Sequence, residues 1–486
     1  MKFSKLIRFK NLKPRIALRG AAFLALAAFT VSLFGQDAGV TELRAKAEKG
    51  DLKAQAALGT LYYRGQGVLQ HYAEAAKWFR KAAEQGDLGA QKALARMYYQ
   101  GQGLTQSDAE AANWYRKAAE KGDPDAQIEL GLMYLNGQGV QQDAAQGAGF
   151  FRKAAERGSA VAQKNLGILY SKGHGVPHDK AEAAKWFRKA AEQGEPQAQN
   201  ELGRMLVAGV GAAKDEAEAA QWFRKAADQG EESAQRNLGI LHFVGQGVPQ
   251  DDVEALKWLQ RAAGSGDAQA RYYMGLIYAR GRGVPQDVAE SLKHFRLAAD
   301  AGDAMAQNEI GFRYQNGQGV TADLTEAVKW FRKAADQDYA MAQHNLGVMI
   351  ANGQGTETNL AEAIKWFRKA ADQGYPQSQN ELGYRYDQGL GLERNPEQAL
   401  EWFRKAAEQG LDLAQFNAGI LYTKERGKAP SDFVEAYKWF NLAAAQGNTN
   451  AANSRDLVMK RLTAEQINEA QRRAAEFLEK KTSAAK

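Results

Sequence analysis

The chain has 486 residues, 44% of them hydrophobic, and a formal net charge of +7. It contains no cysteine, which excludes disulfide scaffolds, thiol catalysis and Cys-based zinc sites, so packing alone must hold the fold. The charge is no argument for nucleic-acid binding, because residues 1–35 hold seven of the 64 Lys and Arg and no acid, leaving the rest balanced against 57 Asp and Glu.

In chain order, Lys2, Lys5, Arg8, Lys10, Lys13, Arg15 and Arg19 precede an uncharged apolar run from Ala21 to Phe34. This is the layout of a secretory signal. The run of 14 residues falls short of the ~20 needed to span a bilayer. Residues 1–35 are therefore expected to direct export and to be removed, placing the mature chain in the periplasm or outside the cell. The alternative is an uncleaved anchor in the inner membrane, since Leu33 fits poorly before a cleavage site at Gly35. Residues 36–53 read as an N-terminal cap, with Glu42 to Gly50 shaped like the end of a helix.

From residue 54 the sequence repeats every 36 residues. Ala54-Gln55 recurs as Ala90-Gln91, Ala126-Gln127, Ala162-Gln163, Ala198-Gln199 and Ala234-Gln235, and the register continues through Ala270, Ala306, Ala342 and Ser378 to Ala414. A fixed period of this size marks a stacked array in which each unit covers the hydrophobic face of the next. Within one unit, Leu94, Met97 and Tyr98 form the apolar stripe of a first helix, and Gly101-Gln102-Gly103 ends it. Ser107 and Glu110 make a capping box that opens a second helix carrying Ala111, Trp114, Tyr115, Ala118 and Ala119 inward, and Gly122 closes it. The unit is an αα-hairpin.

The cap position reads Ser107, Asp143, Asp179, Asp215, Asp251, Asp287, Asp323, Asn359 and Asn395, with Glu or Gln three residues later each time. His71 departs from the pattern in the first unit, and in the last unit Asp432 and Glu435 are displaced by one inserted residue. Glycines inside the first helix (Gly59, Gly131, Gly167, Gly203 and onward to Gly419) cost ~1 kcal/mol each relative to Ala, tolerable only where the first helix meets a neighbour closely. All nine tryptophans share one repeat position, from Trp78 to Trp439, and read as core rather than as a ladder for bases or sugars. After Gly447, Ala451 to Arg461 reads as an extra first helix. Thr463 and Gln466 open a charged helix to about Lys480, and Thr482 to Lys486 is expected to be a disordered tail.

The string from Ala162 to Gly194 carries Ala-Gln-x-x-Leu-Gly-x-x-Tyr, then Gly-x-Gly-Val, then Asp-x-x-Glu-Ala-x-x-Trp-Phe-Arg-Lys-Ala-Ala-x-x-Gly. It resembles the Sel-one-like repeat (SLR) family, a branch of the tetratricopeptide-repeat superfamily. The resemblance covers eleven units, residues 54–447, with helical caps at 36–53 and 448–486. It implies an all-α, right-handed α/α superhelical solenoid acting as a non-catalytic protein–protein scaffold or adaptor in the bacterial envelope. Some relatives are cysteine-rich and described as β-lactamases. This chain lacks those cysteines, so a cell-wall-active hydrolase stays an alternative, as does a peptidoglycan-binding module.

No catalytic or metal constellation stands out, and no cofactor is called for. The six histidines (His71, His174, His178, His242, His294, His344) occupy scattered repeat positions, and His174 and His178 flank a loop with Gly175 and Pro177. The recurring Gly-x-Gly follows helices rather than strands, which suits helix termination and not phosphate binding. The repeated Arg-Lys pair (Arg80-Lys81 to Arg404-Lys405) usually has an acid four residues after the Arg, so it reads as a solvated ion-pair face rather than a polyanion site.

A binding surface should vary between units while the core stays constant. Opposite the core stripe of the first helix lie the second and sixth residues after the repeat alanine. The second includes Arg236, Tyr272, His344 and Phe416, and the sixth includes Phe312 and Tyr384. Aromatic residues mixed with Asn and Arg on a nominally exposed face have the composition of an interface. These six residues are the candidate contacts for another protein or peptide; no nucleic acid is expected, and a membrane only through the leader.

Overall fold

The computed structural model describes residues 33–426 and 430–485. Of the leader expected over residues 1–35, residues 1–32 lie outside the described residues and the last three open the first helix. Among the described residues the chain is helical throughout, with 25 α-helices and no strand. It divides into two compact units, Lys2–Asp251 and Asp252–Lys486. The first holds the cap helix Leu33–Glu48, five complete hairpins from Leu52–Arg64 and Tyr72–Glu84 onward, and the first helix of the sixth, Glu232–Val244. The second opens with Asp252–Gly264, continues through hairpins seven to eleven, and ends with Thr449–Met459 and Ala464–Ala485. Each unit is a solenoid of paired helices stacked in sequence order.

The capping chemistry accounts for the helix limits. Ser107, Asp143, Asp179, Asp215, Asp287, Asp323, Asn359 and Asn395 each accept a hydrogen bond from the backbone N–H three residues on. His71 performs the same task, with its Nδ1 accepting from the Glu74 N–H at 3.1 Å. The eleventh hairpin differs from expectation. Its inserted residue is taken up by a π-helical turn, Tyr422–Arg426, and its second helix starts at Pro430, so Asp432 lies within the first turn rather than at the cap. The Thr463–Gln466 box forms in both directions, at 2.9 and 3.3 Å. The final helix continues to Ala485, past Thr482, because no Gly or Pro interrupts it.

The recurring helical glycine has a clear partner. A Cβ on Gly203 would lie 2.7 Å from the ring of Phe223, and one on Gly311 2.8 Å from Phe331. The contact is with the second helix of the same hairpin, so glycine and phenylalanine together set how tightly most hairpins close; Leu259 stands in for the Phe in the sixth. Ala95 takes the glycine's place in the second hairpin, where Tyr115 replaces the Phe.

The glutamine of Ala-Gln joins one hairpin to the next. Gln199 donates from Nε2 to the Ala191 carbonyl at the end of the preceding hairpin (3.0 Å), and its Oε1 accepts from Gln229 Nε2 (2.9 Å). Gln163, Gln307, Gln343 and Gln379 repeat both bonds. Arg271 replaces the glutamine once and reaches the same carbonyl, that of Ala263, at 3.3 Å. Each bridge brings a second donor to a helix-end carbonyl that already accepts a turn N–H, as Ala191 does from Gly194 at 3.0 Å. In hairpins two and three the donor position holds Lys121 and Arg157, which turn to the carbonyls of Gly86 and Gly122, and Gln91 Oε1 and Gln127 Oε1 are left without partners.

The tryptophans lie in the core, eight of them buried and Trp402 half-buried. The Lys of the Arg-Lys pair covers the indole face, at 3.8 Å for Lys117 over Trp114 and Lys333 over Trp330. The Arg corrects the sequence expectation. Arg404 does pair with Glu408 at 3.6 Å, but Arg152 and Arg368 donate to the hydroxyls of Tyr170 and Tyr386 in the next hairpin at 2.6 and 2.8 Å. A side chain spanning two hairpins gains a fixed partner that a solvated i,i+4 acid does not offer.

The first helices of hairpins one to eight are capped by Asp51, Asp87, Asp123, Ser159, Glu195, Glu231, Asp267 and Asp303. In hairpins nine to eleven the cap position is Tyr339, Tyr375 and Leu411, with no side-chain cap. Each missing cap forgoes ~1 kcal/mol.

Two stability changes follow. Gly311→Ala should destabilise the chain by about 1–2 kcal/mol in denaturant unfolding despite its better helix propensity, because the methyl drives into Phe331. Lys121→Gln should stabilise it by about 1 kcal/mol, since the new amide supplies the donor that Gln91 Oε1 lacks. A neutral or stabilising Gly311→Ala, or a destabilising Lys121→Gln, contradicts these assignments.

Candidate partner-binding face

The first helix presents its outer face through the residue before the repeat alanine and through the second, third and sixth after it. The second position turns out to lie between consecutive hairpins. Lys92 pairs with Asp123 and Asp125 of the next hairpin at 2.9 Å each, and Lys164 with Glu195 at 3.2 Å. Asn200, Asn308 and Asn380 accept from Asn237, Asn345 and Asn417 at 2.9 Å, so an amide pair links neighbouring first helices at three steps.

The candidate residues divide accordingly. Arg236 lies on Glu232–Val244 in the Lys2–Asp251 unit and is half-buried; the other five belong to the Asp252–Lys486 unit. Tyr272 packs edge-on to Tyr273 (5.4 Å between centroids) and beside Phe295 (5.6 Å), and burial pushes its phenol up from the ordinary value. His344 sits between Phe367 (5.7 Å) and Tyr375 (5.4 Å), with Nδ1 2.9 Å from Ser378 Oγ. Phe416 packs on Phe440 at 5.9 Å. These three are half-buried spacers between hairpins. Phe312 and Tyr384, at the sixth position, stand clear at 42% and 46% exposed.

Three exposed residues on this face were missed: Val161 (45%), Met341 (39%) and Leu413 (47%), each one residue before the repeat alanine. The signal was present, because the same position carries Lys53, Asp125 and Gln197 in earlier hairpins. Charged groups here are mostly neutralised within the chain. Glu309 is raised by burial, an effect opposed by Arg313, which pairs with it at 3.3 Å.

Two clefts open between first helices. One of about 440 Å³ lies between Pro196–Ala208 and Glu232–Val244, over Phe223 and beside Arg204, Asn237 and Ile240. It exists because Ala208 and Val210 stand where other hairpins carry longer side chains. The other, about 550 Å³, is lined by Ile420, Phe433, Phe440, Leu457 and Arg461.

The histidines have structural surroundings. His242 is buried with Nε2 3.3 Å from an Arg224 nitrogen, and His294 stacks on Tyr278 at 5.6 Å. His174 and His178 lie in the loop before the helix Lys180–Glu192. Among the described residues no three His, Asp or Glu side chains come together as a metal site, and no helix is long and apolar enough to cross a membrane.

Paired helices repeated at a fixed step, each sealed to the next by the same side chains, define a helical-repeat solenoid. The Sel1 repeat model matches eleven consecutive segments, 52–87, 89–123, 124–159, 160–195, 196–231, 232–267, 268–303, 304–339, 340–375, 376–411 and 412–448, and the chain belongs to this family. The chain is similar to c5321, a protective antigen present in uropathogenic Escherichia coli strains that displays an SLR fold, at 37% identity over 93% of this chain and 95% of that one, with a TM-score of 0.68. It is also similar to a Sel1 repeat protein from Oxalobacter formigenes, at 33% identity over 68% of this chain and 98% of that one, with a TM-score of 0.50. No curated protein matches the chain.

Burial depresses the His344 imidazole to about 4, so it is neutral in the fold at neutral pH. An unfolded histidine titrates near 6.5, so the unfolded chain binds the extra proton first as pH falls, and stability is lost between about pH 6.5 and 4. His344→Gln should remove roughly 3 kcal/mol of that acid sensitivity, read as the difference between wild-type and variant unfolding curves at pH 7 and pH 4. Parallel pH profiles would contradict the burial of a neutral ring.

Proposed function

We propose that this chain is an exported, non-catalytic scaffold that holds a partner polypeptide on the first-helix face of its later hairpins. The observation that carries this is the set of large apolar residues left exposed there, Phe312, Met341, Tyr384 and Leu413, on four successive first helices of one compact unit. Exposed apolar residues clustered among amides and paired charges have the character of an interface that a partner covers. Export is supported by the basic-then-apolar pattern of residues 1–35 and by the description of the 37% identical relative as a protective antigen. The periplasm or the cell exterior is the proposed location.

The test is crosslinking in the producing cell from a photoreactive residue placed at Phe312, followed by identification of the captured protein. Phe312→Ala with Tyr384→Ala should reduce capture by that partner about tenfold or more while leaving the unfolding midpoint within a few degrees. Undiminished capture by a folded double variant counts against this face. Hydrolysis of cell-wall material by the purified chain, unaffected by the double change, would count against a scaffold.

A further inference from the structure

The dipeptide Asn-Gly occurs three times, as Asn136-Gly137, Asn316-Gly317 and Asn352-Gly353, and each is followed by Gln-Gly. All three asparagines are exposed. Each is the last residue of a first helix, with its glycine turned left-handed at φ 65–69°. Before a glycine, the next backbone nitrogen can reach the asparagine Cγ, because no Cβ stands in its way. In a folded chain the outcome depends on how firmly both groups are held.

The three copies are held differently. Asn316 donates from Nδ2 to the Phe312 carbonyl at 2.8 Å, which fastens its carboxamide back along the helix and away from Gly317. The Gly317 N–H goes to a single carbonyl, that of Arg313. Gly137 is held likewise by Met133, but Asn136 has no side-chain partner among the described residues. Asn352 has none either, and the Gly353 N–H is divided between the Met349 and Ile350 carbonyls, at 3.4 Å for the second. That division marks a last turn drawn from α toward 3-10 geometry, and local opening of a helix begins at its ends.

We propose that Asn352 is a site of spontaneous covalent modification in the folded chain, passing through a cyclic imide to isoaspartate and aspartate. The Gly353 nitrogen bonds to Asn352 Cγ, the Cγ–Nδ2 bond breaks, and ammonia leaves with the proton that the glycine nitrogen gives up. Water then opens the imide. Attack at the main-chain carbonyl gives isoaspartate, and attack at the side-chain carbonyl gives aspartate. Both products disturb the same place. A new carboxylate at the C-terminal end of Ala340–Asn352 opposes the helix dipole. Isoaspartate also adds a methylene to the main chain. The turn has no slack for it, because Gly355 lies against the Leu324 carbonyl of the preceding hairpin, where a Cβ would collide. The change is taken up by unwinding the last helical turn. This loosens the step between hairpins eight and nine, inside the unit that carries Phe312 and Tyr384.

The full chain is aged for weeks in mildly alkaline buffer at body temperature and digested, and the peptides holding Asn136, Asn316 and Asn352 are followed by mass spectrometry for the amide-to-acid gain. Asn352 should convert fastest and Asn316 slowest, about fivefold or more apart, the factor that one net hydrogen bond sets on the open population. In guanidinium chloride the three rates should converge, because the string Asn-Gly-Gln-Gly is common to all. Ageing in oxygen-18 water should place the heavy label in the product, as ring opening by water requires. Asn352→Gln should abolish conversion at 352 while leaving that at Asn136 unchanged. Aged wild type, but not the aged variant, should show faster amide exchange at 349–356. Conversion of Asn316 level with or ahead of Asn352 in the folded chain, rates that stay apart in guanidinium, product without label, or equal exchange in aged wild type and aged Asn352→Gln overturns the proposal.

Discussion

The buried glutamine amide between hairpins is the interaction on which the rest depends. The carbonyl that ends a second helix keeps a lone pair to spare beside its turn N–H bond, and the next first helix packs against that end. At most steps one glutamine takes a carbonyl from behind and an amide from its own hairpin, at 2.7–3.2 Å. With this seam closed, the sixth position of the first helix is left exposed at Phe312 and Tyr384. The cost of leaving a buried amide unpaired is what fixes the register between hairpins.

Glycine against phenylalanine supplies the complementary constraint inside most hairpins. The two contacts divide the work: one sets how a hairpin closes, the other how hairpins join. Lysine over tryptophan and arginine to the next tyrosine then finish the outer layer.

Most of this architecture was legible because each unit repeats the same local signals. The capping box at Asp179 and Glu182, the left-handed glycine at Gly173 and the apolar stripe of Leu166 and Leu169 each declare one boundary or face, and eleven copies reinforce one another. What escaped the sequence was partnership across the step. Nothing in the string Ala-Gln shows that the amide reaches back eight residues to Ala191 and is reached from thirty residues on. The acid four residues after each Arg suggested a local pair, and only the fold brings Tyr386 within 2.8 Å of Arg368. The candidate face was half legible for the same reason. Tyr272 and Phe312 look alike in the pattern, yet one fills a gap between hairpins and the other does not, because their positions on the helix differ by a little more than one turn. Tyr339 and Tyr375 were visible as departures only once the capping role of that position was known.

The glutamine seam has a consequence for how such chains change over generations. Most joints use the same donor and acceptors, and all of them come from two adjacent hairpins. A duplicated or deleted 36-residue segment therefore presents correct partners at both new junctions, without any compensating change elsewhere. Gene-level copy number can then lengthen or shorten the reach of the surface while the chemistry of each step stays fixed, and novelty is confined to the few side chains that the joints do not use.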